Sequence, residues 1–266
     1  MRCASAARCS PGRSSGASSS DTSTRSRPAG GGVRRRRSSP PWPKERVPSW
    51  GPDAGGSEIV NEALAQALAY LRAGGIVAGP TESVYGLFAS AFDRRATERV
   101  LALKGRRSDQ PLPLVVGDLG AVRQVAVPPP DAEAVMEALW PGPLTLVLPA
   151  APGLPRAVTA GTGTVGLRIP AHRVARALAQ GAGPLTATSA NRSGQAPVLE
   201  AADLDAALRS APDLFVLEGV CGGQRPSTVA RLTESGVEIL RPGPVSEAQI
   251  RAALARGSVD PGEAAG

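Results

Sequence analysis

Apolar and polar positions change their spacing abruptly at Ser57. Before it, residues 1–56 are rich in Ser, Arg, Gly and Pro, and neither the run Arg34–Arg37 nor Pro40-Pro41-Trp42-Pro43 shows a helical or an alternating period. Such a segment cannot bury enough apolar surface to offset the entropy of ordering it, so it reads as a disordered tail. From Ser57, a residue suited to N-capping, Ile59, Val60, Leu64, Leu68 and Leu71 recur at near-helical spacing, and Gly74-Gly75 stops the helix. The run Gly75-Ile76-Val77-Ala78 then reads as a buried strand, and Asp93 caps a second helix that leads through Val100, Leu101 and Leu103 to Lys104. Further strands are predicted at 112–116, 144–148, 164–169, 185–188, 214–217, 227–232 and 237–241, and helices at 131–139, 171–180, 200–210 and 246–255. Strands alternating with helices imply an α/β fold, a twisted mixed sheet flanked by helices. The expected organisation is a tail over 1–56, a folded domain over 57–256 and a flexible end over 257–266.

Charge sharpens that division. Ten Arg and one Lys against Asp21 and Glu45 give residues 1–47 a charge of +9, and since the whole chain of 266 residues carries +7, the remainder is near neutral at −2. The basic character therefore belongs to the tail, which suits a solvated extension, a nucleic-acid-attracting arm or a transit peptide. The apolar face that a transit peptide needs is missing. Cys3 and Cys9 lie in the tail and Cys221 stands alone, so neither a disulfide framework nor a paired-cysteine zinc site is expected. No run approaches the length of a membrane span, and a cytoplasmic protein without membrane contact is the expectation.

Two nucleotide signals are set aside. Gly161, Gly163 and Gly166 satisfy G-x-G-x-x-G but lead into the apolar strand 165–169 instead of a helix, and the G-x-x-x-x-G-K-[ST] sequence of a P-loop is missing. More informative are PTESVYGL (80–87), LKGRRSDQPL (103–112), WPGPLTLVL (140–148), TVGLRIPAH (164–172), TSANRSG (188–194), PSTV (226–229) and LRPG (240–243). Thr81 follows a strand end, where hydroxyl and backbone groups face a ligand. Lys104 and Arg106 offer two cations to phosphate or carboxylate oxygens, and Ser189 and Asn191 repeat the same spacing with neutral groups. Each pair alone suits equally a solvated helix end or a turn.

Together and in this order, these segments resemble the Sua5/YrdC/YciO family of threonylcarbamoyl-AMP synthases, in its single-domain YrdC-like form, over about residues 58–255. The resemblance implies an ATP-using nucleotidyltransferase that joins L-threonine and bicarbonate to the nucleotide, forming threonylcarbamoyl-AMP and pyrophosphate, with Mg²⁺ accompanying the triphosphate. The product would pass to a downstream tRNA threonylcarbamoyl-transferase. By the same resemblance Lys104, Arg106, Ser189 and Asn191 line the nucleotide and carbamate site, with Lys104 and Arg106 catalytic. Thr81, Arg168 and Ser227 hold threonine, and Thr164 and Arg241 complete the nucleotide pocket. The alternatives are a paralogue acting on another amine, and a double-stranded RNA or tRNA binder.

Several positions depart from the family pattern. Ser83 replaces a Thr, Gln110 an Asn, Pro197 a Ser and Ala230-Arg231 a Val-Asp. Val115 stands where many members have a His that touches threonine, which bears on amino-acid selectivity. His172, the single histidine, and Trp140 read as structural residues, one at a helix start and the other a core anchor. No general base is evident.

Overall fold

A computed structural model describes residues 57–257 apart from Ser108 and Gln224; the tail expectation lies outside the described residues. In chain order the elements are α1 (Ser57–Arg72), β1 (Ile76–Gly79), β2 (Gly86–Phe88), α2 (Arg94–Lys104), β3 (Leu114–Val115), α3 (Pro130–Leu139), β4 (Leu144–Pro149), α4 (Arg156–Thr159) and β5 (Thr164–Arg168). They continue as α5 (Arg173–Ala182), β6 (Leu185–Thr186), β7 (Thr188–Ser189), α6 (Ala206–Arg209), β8 (Leu214–Val216), β9 (Thr228–Thr233), β10 (Gly236–Arg241) and α7 (Glu247–Gly257).

The strands form two mixed sheets. One has the order β7-β2-β1-β8, with only β1 and β8 parallel; the other has the order β10-β9-β4-β5-β3-β6, with β9/β4 and β5/β3 parallel. The segment expected as one strand over 185–188 is therefore two, since β6 joins the larger sheet and β7 the smaller, with Ala187 as the crossing point. The expected helix over 200–210 is also divided, into a 3₁₀ turn over Ala201–Asp203 and the short α6, with Leu204 extended between them. Asp203 and Asp205 flank that break, and aspartates favour turns over helix interiors. Strand β2 carries no alternation because all three of its residues are buried, and a short apolar run does not announce its period.

Burial follows from the pleat. In the larger sheet Leu144, Leu146, Leu148, Val165, Leu167 and Ala230 face a core completed by α3 and α7, including Val135, Met136, Ile250 and Ala253. The alternate residues Thr145, Val147, Thr164, Gly166, Arg168, Val229 and Arg231 are thereby turned to the opposite face, where they line a cleft. A second core joins β1, β2 and α2 through Ile76, Leu87, Val100 and Leu101, and a third sets α1 and α5 on Val77, Phe88 and Val115. Among the described residues no helix is long and apolar enough to cross a membrane.

Candidate active site

The cleft has a volume of about 820 Å³, and all nine residues singled out in the sequence line it: Thr81, Lys104, Arg106, Thr164, Arg168, Ser189, Asn191, Ser227 and Arg241. Its charged lining residues are Lys104, Arg106, Arg168, Arg231 and Arg241, all cations.

One end is built where α2 stops. Asp93 caps its start by accepting from the Arg95 and Ala96 amides, and Gly105 ends it in the left-handed conformation at φ 58°, which turns the chain so that Lys104 and Arg106 both reach the cleft. Lys104 is buried, and its ammonium donates to the backbone carbonyls of Ser189 and Asn191, the latter at 2.7 Å. The Lys104 carbonyl in turn accepts from the Ser193 amide at 3.0 Å, so this lysine ties the Ser-Ala-Asn turn to the helix end. Burial, and then the charge of Arg106, pull its pKa down to about 8. Arg106 is held by Gln110, whose Oε1 accepts from Nε at 2.7 Å, so the glutamine in place of the family's asparagine has a definite task. Asn191 donates through Nδ2 to the carbonyls of Arg192 and Gln195, while its Oδ1 is buried without a partner.

The other end centres on Arg168, the last residue of β5. It is buried, forms an ion pair with Glu82, and has its pKa lowered to about 10 by burial and by Arg241, so it remains charged at neutral pH. Arg241 donates from Nη2 to the Ser227 carbonyl at 2.8 Å and to its hydroxyl at 3.2 Å, and Ser227 Oγ meets Thr145 Oγ1 at 2.9 Å. Gly243 allows this arrangement: a Cβ there would lie 2.3 Å from the Thr228 nitrogen and 2.6 Å from the Pro226 carbonyl oxygen. The Thr81 hydroxyl is turned inward, donating to the Val84 carbonyl at 2.7 Å and accepting from the Ser83 and Val84 amides. Thr81 thus lines the cleft and also ties the loop 81–84 together. Thr164, half-buried, lines the cleft with its hydroxyl 2.9 Å from that of Thr162.

Val115 is the register partner of Arg168 yet is fully buried in the core and outside the cleft lining. Pro197 and Arg231 do line the cleft, Arg231 with Glu238 3.3 Å away. His172 occupies the N-cap of α5, its backbone amide facing Glu82 and its Nε2 3.3 Å from the Val220 carbonyl. Trp140 anchors the core through Nε1 to the Leu144 carbonyl at 2.7 Å. Burial pushes the Cys221 thiol up, which makes it a weak nucleophile. Sequence reasoning missed Glu82, Thr145 and Arg231. Thr145 and Glu82 had a signal, each a polar residue inside an otherwise buried motif, whereas Arg231 needed the pleat of β9.

The family model Sua5_yciO_yrdC, described as telomere recombination, matches residues 69–243. A protein of Bacillus subtilis (strain 168) named threonylcarbamoyl-AMP synthase is 39% identical over 206 residues, covering 75% of this chain and 58% of its own. One of the same name from Halorhodospira halophila (strain DSM 244 / SL1) is 38% identical over 165 residues, covering 61% and 86%. The crystal structure of P. abyssi Sua5 complexed with L-threonine is similar at a TM-score of 0.65 and 36% identity, over 71% of this chain and 56% of that one. The chain thus spans less than two thirds of the Bacillus and P. abyssi proteins. The match of the family model over most of the described residues, the identity to these relatives and the shared fold show that the chain belongs to the Sua5/YciO/YrdC family.

Proposed function

We propose that this protein is an L-threonylcarbamoyladenylate synthase, which makes threonylcarbamoyl-AMP and pyrophosphate from L-threonine, bicarbonate and ATP for the modification of tRNA. The observation that carries the reading is the union of nine separated positions in one cationic cleft with two chemically different ends. Relatives bear the name of this synthase, and a similar protein has been crystallised with L-threonine.

At the Arg168 end, the guanidinium of Arg168 meets the α-carboxylate of threonine, joined by that of Arg241, which the resemblance gave to the nucleotide pocket but which bonds Ser227 beside Arg168; the hydroxyls of Ser227 and Thr145 lie next to them. The amine then points toward the middle of the cleft, where it takes up bicarbonate to give a carbamate and water. The carbamate oxygen attacks the α-phosphorus of ATP, a P–O bond forms, and pyrophosphate leaves with the bonding pair. Lys104 and Arg106 offset the charge that builds on the phosphate oxygens, and no covalent enzyme intermediate is needed. Four preorganised cations, Arg168, Arg241, Lys104 and Arg106, thus do what a nucleophile does elsewhere.

A divalent ion fits this site only as part of the nucleotide. The charged side chains lining the cleft are cations, and among the described residues no group of three His, Cys, Asp or Glu is placed to hold a metal. Mg²⁺ would therefore be held by the triphosphate, whose charge it reduces. The product passes in the cytoplasm to a tRNA threonylcarbamoyl-transferase, with tRNA or double-stranded RNA as a further partner. Mass spectrometry of the product formed from ATP, bicarbonate and each of several amino acids tests the reading: threonylcarbamoyl-AMP from threonine alone supports it, and an adduct of a different amine refutes it.

A further inference from the structure

The cleft's positive charge is unevenly balanced. Around Lys104 and Arg106 the partners are the neutral groups of Ser189, Asn191 and Gln110, which leaves +2 at that end. At the other end Arg168 and Arg241 lie close enough for one to depress the other, but Glu82 pairs with Arg168 and brings their sum to +1. Arg231, at the rim, has Glu238 beside it.

Glu82 itself does not line the cleft. It stands behind Arg168 with its side chain 7% exposed, and its Oε2 faces the His172 amide at 3.4 Å. The loop behind it is fitted closely, since a Cβ on Gly222 would fall 2.4 Å from the Glu82 carbonyl oxygen. A buried ion pair is a poor device for stability alone, because an apolar pair of similar volume usually does as well. What the carboxylate changes is the charge presented to a ligand. A site of +1 matches one carboxylate, whereas a site of +2 would also attract a dianion or one end of a polyphosphate.

Building on the proposed function, we infer that Glu82 is a charge-setting residue: through Arg168 it keeps the amino-acid end selective for a single carboxylate and leaves the phosphates to Lys104 and Arg106. The cleft then binds two anionic substrates in one orientation, by charge count as well as by shape.

The test is calorimetric titration of the full-length protein with L-threonine, with sulfate as a dianionic probe and sodium chloride at matched ionic strength as control. In the wild type, sulfate shifts the threonine Kd by less than about twofold beyond the chloride control. In Glu82→Gln, the end left at +2 binds threonine no more weakly, but sulfate now competes for it and raises the apparent threonine Kd about tenfold. Glu82→Asp restores part of the discrimination, which a purely structural role would not require. If Arg168→Gln weakens threonine while Glu82→Gln leaves both affinity and sulfate response unchanged, the inference is overturned and the proposed function stands. If Arg168→Gln leaves threonine binding unaltered, the assignment of that end fails at its root. Should Glu82→Gln not fold, the wild type decides: sulfate competing with threonine there overturns the inference.

Discussion

Lys104 shows how one residue carries both architecture and chemistry. Its ammonium is held by two backbone carbonyls and faces the cleft, and burial brings its pKa to about 8. The charged form that meets the phosphates is therefore lost as pH rises through about 8 in the free enzyme, and kcat/KM for ATP is expected to fall across that range. A Lys104→Arg variant, whose guanidinium stays charged, should move the falling limb to higher pH; an unmoved limb would assign it to another group. Stability has the opposite sign. Between about 8 and the unfolded value of 10.5 the unfolded chain binds the proton that the folded one has released, so unfolding free energy should rise with pH over that window. Lys104→Ala should lose both activity and stability, because the ammonium also closes the Ser-Ala-Asn turn. Arg168→Ala should raise KM for threonine by roughly 10- to 150-fold, equivalent to about 1.5–3 kcal/mol for a charge-assisted hydrogen bond, and leave KM for ATP nearly unchanged. Equal changes for both substrates would place Arg168 wrongly. That Lys104, Arg106 and Arg168 share one cleft was legible in the sequence through the family resemblance. Their partners were not, because Glu82 lies 86 positions from Arg168 and only the fold brings the two together.

At the scale of elements, the glycines after α2 and β10 act differently. Gly105 is left-handed but has open space around its missing side chain, whereas a side chain on Gly243 would meet the backbone of 226–228. Gly105→Ala should therefore cost only the local strain, about 1 kcal/mol. Gly243→Ala should cost more, about 1–3 kcal/mol, and should raise KM for threonine by displacing Ser227 and Arg241. Thermal unfolding and steady-state kinetics of both variants check this contrast, and equal costs would contradict it. Long periodic elements such as α1 and α2 were legible from spacing. Alternation also suggested β4, β5, β9 and β10, because one face of that sheet meets a core and the other a polar cleft. The failures lie where the period is too short to read: β2 is three buried residues, β6 and β7 are two each, and Pro111 and Pro113 confine β3 to Leu114–Val115.

For the whole molecule, every residue of the cleft lies beyond Gly74, so a chain lacking residues 1–56 should retain turnover within a few-fold of the full protein. A truncated protein that folds and loses turnover would show that the tail serves catalysis. On the nucleic-acid-arm reading, the +8 of residues 1–56 adds salt-dependent affinity for RNA, read as a steeper fall of log K with log salt in the full chain than in the truncation; equal slopes leave the tail a solvated extension. Above these tests stands the claim that the two ends of the cleft serve one reaction. Pyrophosphate release by the purified protein, followed with ATP, bicarbonate and L-threonine together and with each omitted in turn, tests it most directly. Release is expected only when all three are present, with threonylcarbamoyl-AMP formed in equal amount; release at the same rate without threonine would show that the two ends do not serve one reaction.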